Sequence, residues 1–497
     1  VAGSTGATGL SITGATGPAG SVTVTGTNYG DYLYWNTYTT SFAVGSNRIS
    51  LGANSGATGQ STNAVALGYQ AGQNNQNIYS VAIGTETGQT NQGTGAISIG
   101  FRAGKTNQGT GAISIGSYSA TSNQGNNSIA IGTNSASSVQ GSDSIAIGNS
   151  AGQNSQNSMT IAIGYQAGQV SQSTGSISIG YQAGQTNQGQ TNISIGYQAG
   201  QINQSLNSVA IGNTAGKNTQ GINSIAIGPL AGRDYQGPAS IAIGDQAGYN
   251  SQGTKAIAIG QSAGVNQSTG CVAIGWGAGQ INQGTYSVSV GYQAGSTNQG
   301  QNSIAIGIQA GMTNQGISCV AIGSYAGQTG QADYAISIGN TCGNINQGGG
   351  SVAIGTNCGV TTQGINSVAI GIYSAQSNQG AHSIAIGDTV GQFSQQGAAI
   401  SMGYLTGIYN QSLYSVAIGA FTAQTNQGES SIAIGNSAGQ STQGNNSIAI
   451  GKNSGSLNQG ANSVSIGINS GVTGQGANSI AIGNSAGYTN QGINSVS

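Results

Sequence analysis

Asn478-Ser479-Ile480-Ala481-Ile482-Gly483-Asn484-Ser485-Ala486-Gly487-Tyr488-Thr489-Asn490-Gln491 decides the fold, because the same phrase returns at a fixed interval along the chain. The glycine closing the Ile-Ala-Ile segment recurs 28 times, from Gly52, Gly68 and Gly84 to Gly483, always sixteen residues apart except for Gly260 to Gly275, which are fifteen apart. A period that short is one coil of a solenoid. Three positions before each anchor glycine stands Val or Ile, one before it Ile, Leu, Val or Met, and between them always Ala or Ser. This period-2 alternation reads as a short strand with one face in a core, and it excludes helix. The two aliphatics are expected to form that core. A small residue and Gly, replaced by Ala at Ala120, Ala136, Ala375 and Ala423, then mark a sharp turn. A polar stretch of the type Gln-Thr-Asn-Gln-Gly forms the return strand.

A Gln lies eight residues before the next anchor in every coil: Gln60, Gln76 and Gln92, through Gln267 and Gln283, to Gln491. The one short coil loses its residue between Gly264 and Gln267, so the Gln-to-glycine spacing is kept. Inward-pointing glutamines of adjacent coils are expected to bond amide to amide, as a ladder that uses both donors and the acceptor. With strands ~4.8 Å apart, 28 coils predict a thin rod of about 130 Å, and association with other copies is the economical way to thicken it.

Residues 1–20 carry Gly-X-Y triplets, as in Gly14-Ala15-Thr16-Gly17-Pro18-Ala19, and a collagen-like tract of this kind implies three chains. Residues 21–44 hold Tyr29, Tyr32, Tyr34, Trp35, Tyr38 and Phe42, a cluster suited to cap the first coil, with a ligand site as the alternative. Residues 45–497 are the solenoid. Val1 is not an initiator methionine and Ser497 falls inside a strand phrase, so the sequence reads as a window of a longer protein.

Eight acidic residues, seven basic ones and the single His382 are dispersed along the repeat, which leaves no catalytic pair, triad, metal cage or cofactor site to assemble. Gly100-Phe101-Arg102-Ala103-Gly104-Lys105-Thr106 imitates a phosphate loop one residue short, in the register of every other turn. A net charge of −1 argues against a nucleic-acid partner. Nothing in residues 1–497 is expected to be membrane-embedded. Cys342 and Cys358 share a turn position in successive coils, where Cα atoms about 5 Å apart are within disulfide range; Cys as a stand-in for Ala or Ser is the alternative. Cys271 and Cys319 share a register but lie three coils, roughly 14 Å, apart. Sequons at Asn126, Asn203, Asn266, Asn410 and Asn445 arise by chance in so Asn- and Ser-rich a chain.

Aromatics recur just after the anchor glycine, at Tyr69, Phe101, Tyr165, Tyr181, Tyr197, Trp276, Tyr292 and Tyr404. Stacked on a solenoid they form an outward stripe, suited either to a glycan or surface receptor or to simple packing. A Thr array for ice binding is disfavoured, since Thr58, Thr90 and Thr106 give way to Val170 and Ile202.

The phrase Asn207-Ser208-Val209-Ala210-Ile211-Gly212 resembles the head repeat of trimeric autotransporter adhesins, the YadA-like left-handed parallel β-roll, and the resemblance runs over residues 45–497. It implies a homotrimer about a common axis, on a cell surface, whose head binds matrix or other surfaces. The family's coil is usually shorter and does not carry Gln-Gly throughout. The Gly-Ala-Thr-Gly-Pro tract and Gly180-Tyr181-Gln182-Ala183-Gly184 are similar to collagen-like and fibre proteins of large viruses, phage tails and bacterial surfaces. The expected protein is therefore an extracellular, non-enzymatic, trimeric β-solenoid: the shaft of a cell-surface appendage or virion fibre, or alternatively an adhesin. Its polar, nearly uncharged surface leaves lateral and end-to-end self-association open.

Overall fold

The computed structural model describes residues 24–36, 39–45 and 47–497, so the collagen-like tract of residues 1–20 lies outside the described residues. The chain forms two compact units, residues 1–143 and 144–497. Among the described residues there is no helix, and each unit winds as a parallel β-solenoid of sixteen-residue coils. In the first unit the strands Ile49–Leu51, Val65–Leu67, Val81–Ile83, Ile97–Ile99, Ile113–Ile115 and Ile129–Ile131 pair in unbroken register, each residue against its equivalent sixteen later. The second unit repeats this from Ile145–Ile147 to Ile480–Ile482. The return strands, such as Thr90–Gln92 on Thr106–Gln108, form a second parallel ladder. From Gln204 to Gln252 that ladder thins to single bridges between glutamines. The fifteen-residue coil stays in register on both sides, Ile257 facing Val272 and Gln267 facing Gln283.

The coil closes because five of its backbone stations take positive φ. From Gly196 they are Gly196 (128°), Gln198 (51°), Gly200 (52°), Asn203 (53°) and Asn207 (56°). Glycine occupies the station with φ near 130°, which L residues do not reach, and asparagine is the L residue best suited to two left-handed ones. This accounts for the Asn preceding the conserved-position Gln and for the Asn of the Asn-Ser phrase. The anchor glycine is constrained a second way: a Cβ on Gly196 would meet the backbone of Gly212 in the next coil, 2.5 Å from its carbonyl oxygen.

The sidedness of the inner strand reverses the expectation. Ala210 and Ala226 are fully buried, whereas the aliphatics flanking them are not, and Ile195 is 36 % exposed. Beneath the inner strand the interior is too narrow for Val or Ile. It already holds the Gln220 amide, Ala210, and the floor at Gly216, where an added Cβ would meet the Gln220 amide oxygen at 2.9 Å and the Ala210 methyl at 3.3 Å. The core is mainly Ala, Ser, Gly and Gln, with Val390, Thr406 and Cys342 among the exceptions at the turn, and the Val and Ile of the inner strands face outward.

The glutamine ladder forms the expected amide-to-amide bonds in many coils but not in all. Each Gln also donates Nε2 to the carbonyl of the inner-strand residue eleven positions back, or ten in the short coil: Gln60 to Ile49 (2.8 Å), Gln76 to Val65 (2.8 Å), Gln92 to Val81 (2.8 Å), Gln283 to Val272 (2.9 Å) and Gln491 to Ile480 (2.8 Å). The remaining hydrogen reaches the next glutamine in some coils, as from Gln267 to Gln283 (2.8 Å) and from Gln315 to Gln331 (3.0 Å). The main-chain carbonyl lies within the same coil's span and wins over a side chain a full coil away. The amide oxygens of Gln76, Gln92 and Gln491 consequently stay buried without a partner.

Where the middle strand residue is Ser rather than Ala, its hydroxyl commonly supplies the missing donor ten residues on: Ser98 to Gln108 (2.7 Å), Ser114 to Gln124 (2.6 Å), Ser289 to Gln299 (2.6 Å); Ser465 instead donates to the carbonyl of Ser470 at the turn (2.6 Å), and the Gln475 oxygen stays unpaired. Ala433 stands at that station before Gln443, whose oxygen is buried and unpaired, with Ala438 rather than Ser at the turn. Ala433→Ser is expected to stabilise the protein by about 1 kcal/mol, read as a higher urea midpoint at unchanged slope. An unchanged or lower midpoint would show that the hydroxyl does not reach the oxygen.

Candidate interaction surface

In-register stacking sets the surface chemistry. Identical stations lie one above another, so a charge repeated in every coil would face its own kind, whereas amides complement themselves. Rows of this type run along the exposed faces, with Asn282 donating to Asn298 and Asn298 to Asn314 (both 3.0 Å), and Asn187 to Asn203 (3.1 Å). The fifteen charges of the chain are correspondingly dispersed, with Lys217 and Arg233 a like-signed pair at one station of adjacent coils. Their densest group has opposite signs in adjacent coils: Glu86 accepts from Arg102 Nε at 3.0 Å and Lys105 Nζ at 2.6 Å, and the Arg102 guanidinium lies 5.0 Å from the Phe101 ring. Lys105 of the phosphate-loop imitation is thus spent on a carboxylate.

Hydrogen bonds from Lys105 and Arg102 hold the Glu86 carboxyl below its ordinary value. A depressed carboxylate contributes stability that is full above the unfolded-state value and lost as pH falls through the folded one. The wild-type advantage over Glu86→Gln is therefore expected to be present at neutral pH, to vanish on acidification through the carboxylate range, and to shrink in high salt. A pH-independent difference in thermal midpoint between the two proteins would contradict the ion-pair account.

The sulfurs of Cys342 and Cys358 are bonded, with Cα atoms 4.7 Å apart, so this pair clamps adjacent coils. Cys271 and Cys319 are buried free thiols, each pushed up by burial. His382 is exposed, in left-handed conformation (φ 60°), at the station Asn fills elsewhere. No group of three or more His, Cys, Asp and Glu able to hold a metal occurs among the described residues. In residues 24–45, Tyr32–Asn36 and Ser41–Gly45 form an antiparallel hairpin. The Tyr32 hydroxyl accepts from the Ser50 amide (2.6 Å) and donates to the Arg48 carbonyl (2.8 Å), beside a cleft that Trp35 and Gln60 also line.

The outward face of the inner strands is an extended apolar surface. Its two aliphatic columns, represented by Ile161 and Ile163 or Ile225 and Ile227, recur in every coil of each unit. Contiguous exposed apolar patches beyond a few hundred Å² are uncommon on monomers. The aromatic stations gather beside it. Tyr165 stacks on Tyr181 (ring centroids 5.2 Å, planes 11° apart), Tyr181 on Tyr197 (5.1 Å, 6°), and Trp276 on Tyr292 (4.9 Å, 12°). Both faces of Tyr181 are therefore covered by its neighbours, and the stack presents ring edges and hydroxyls rather than the flat faces a sugar would use. The aliphatic face itself is what sequence reasoning missed. The signal for it was the Gln of every coil together with the Gly or Ala of the turn, which occupy the interior and leave no room for the aliphatics.

The site thus defined is the outer face of a parallel β-solenoid with small residues inside and aliphatics outside. Residues 108–135, 124–151, 283–310 and 427–454 match the YadA head domain repeat (2 copies), and these coils are similar to that family. A comparison with curated proteins returns no match. The similarity is thus to an adhesin head repeat, on a fold that is an all-β parallel solenoid.

Proposed function

We propose that the chain is the shaft of an extracellular fibre or cell-surface appendage, assembled as a homotrimer through the outward aliphatic face of its inner strands. That face is the observation that carries the reading: it repeats without interruption through each unit, and water is a poor environment for it. In residues 144–497 alone it exposes on the order of 2,000 Å² of aliphatic surface, against ~800 Å² per partner in a stable interface. Similarity to the YadA head repeat supports three chains and a cell-surface location over a virion fibre. Residues 1–20 supply the collagen-like stalk of the same trimer, and residues 21–44 cap the first coil. Analytical ultracentrifugation tests this. The wild-type protein is expected at three times the chain mass, and the variant Ile163→Glu/Ile179→Glu/Ile195→Glu at a lower mass with unchanged circular dichroism. A wild-type chain that sediments as a monomer ends the reading.

The second reading, an adhesin gripping a glycan or receptor through Tyr165, Tyr181, Tyr197, Trp276 and Tyr292, is supported by the exposure of these rings. Tyr165→Ser/Tyr181→Ser/Tyr197→Ser separates the two, because attachment that survives in intact fibres removes this stripe from any adhesive role.

A further inference from the structure

The aromatic stations are spatially continuous with the aliphatic face. In each coil the ladder runs on past the anchor glycine: Gly180 N donates to Ile163 O (2.8 Å) and Gln182 N to Tyr165 O (2.8 Å). The next coil repeats it, with Gly196 N on Ile179 O and Gln198 N on Tyr181 O (both 2.8 Å), and so does the other group, with Gly291 N on Ile274 O and Gln293 N on Trp276 O (both 2.8 Å). The carbonyls of Ile163 and Tyr165 both address the following coil, so these residues stand two apart in one ladder and project to the same side. From Ile336–Asn340 to Val416–Ala420 the strand formally includes this station, with Asn340 facing Thr356 and Tyr404 facing Ala420 in register. The outward face therefore has three columns per coil rather than two, and the third is aromatic at Tyr165, Tyr181, Tyr197, Trp276 and Tyr292.

We infer that these aromatic stacks are covered by a second copy of this chain and are not open to a receptor. The inference rests on the homotrimer reading and names the surface of that assembly. Two observations select the occupant. The stacked rings are still 42–49 % exposed, and what remains open is their edges, a ridged apolar wall with one ridge per coil. A wall of that repeat is filled without gaps by a surface of the same repeat, which a second solenoid carries and a compact ligand does not. The wall also continues two aliphatic columns that carry no charged residue, and in residues 144–497 its own column is charged only away from the two stacks, at Asp245, Asp388 and Lys452, so the surface that covers the stacks is apolar and neutral, as this face itself is there.

Thiol reactivity tests it in the full chain. Tyr181→Cys places a thiol on the wall, and Gln190→Cys places one at an exposed station elsewhere in the same coil, while Cys271 and Cys319 stay buried. In the assembled protein Cys at 181 is expected to react with a maleimide about an order of magnitude slower than Cys at 190. The two rates should converge when Ile163→Glu/Ile179→Glu/Ile195→Glu is added and assembly is lost. Equal rates in a protein that sediments as a trimer overturn the inference and leave the trimer standing. Sedimentation of the wild-type protein as a monomer overturns the trimer reading and this inference together. If Tyr181→Cys alone lowers the assembled mass, the same comparison made with Tyr292→Cys decides.

Discussion

Gln331→Leu is expected to destabilise the solenoid by about 3 kcal/mol or more, because it strands several buried polar groups at ~1–3 kcal/mol each. The Gln331 amide donates to the carbonyls of Val320 (3.0 Å) and Ala335 (3.0 Å) and to the Gln347 amide oxygen (3.0 Å), and it accepts from Gln315 (3.0 Å). Leucine fills much the same volume and can make none of these bonds. Gln363→Leu provides the internal contrast. Gln363 donates to the Val352 carbonyl (2.9 Å), but its own oxygen is buried without a partner, so leucine there removes a cost as well as a bond. Its expected effect is about 1 kcal/mol. Stability in a solenoid is a sum over neighbouring coils, so the loss is local. Hydrogen exchange should show protection falling in the coils around residue 331, and urea unfolding should rank the two variants. Equal midpoints for both would mean that the amide network adds nothing beyond filling space.

The coil, its strands, its turn and the register of the fifteen-residue repeat were all legible in residues 45–497, because each rests on spacing, and spacing is what a repeat displays. Which face of the inner strand points inward was not. Alternation of Ile and Ala establishes that the two faces differ, and the hydrophobic habit of globular cores assigns Ile to the inside. Here the cross-section overrules that habit, since a cavity already holding Gln220 and floored by Gly216 has room at the Ala210 station for Ala or Ser but not for a branched aliphatic. The left-handed residue two past the anchor was equally hidden, since Gln198, Arg102 and Tyr118 share that conformation with no common chemistry. Its cause is the path of the chain, not a preference of the side chain. The pairing of Ser98 with Gln108 was invisible for the opposite reason: the Gln is present in every coil, so its presence does not vary with the Ser. The same constancy explains why the Tyr165 stack reads as a stripe in sequence, while its closed ring faces are known only from geometry.

Replacing one anchor glycine should have the largest effect of any single methyl addition in the chain. Gly100 sits at φ 130°, where an L residue is strained by several kcal/mol at most stations and by ~1–3 kcal/mol even at tolerated ones. A Cβ there would lie 2.6 Å from the carbonyl oxygen of Gly116 and 2.9 Å from its carbonyl carbon. Those atoms are backbone, and they cannot retreat without breaking the bond from Gly116 N to Ile99 O (2.9 Å) that joins the two coils. Strain and overlap add, so Gly100→Ala is expected to cost about 4 kcal/mol or more and to expose the adjoining coils to hydrogen exchange. Gly95→Asn, in the same coil, is the control. Gly95 has φ 65° with open space around the position of a Cβ, and equivalent stations hold Asn127 and Asn207 in the same conformation. Its midpoint should therefore stay within about 0.5 kcal/mol of wild type. If Gly100→Ala proves as mild as Gly95→Asn, the close passage of backbone over backbone at the anchor does not hold the coils at their spacing, and the outward strand register built on it fails with it.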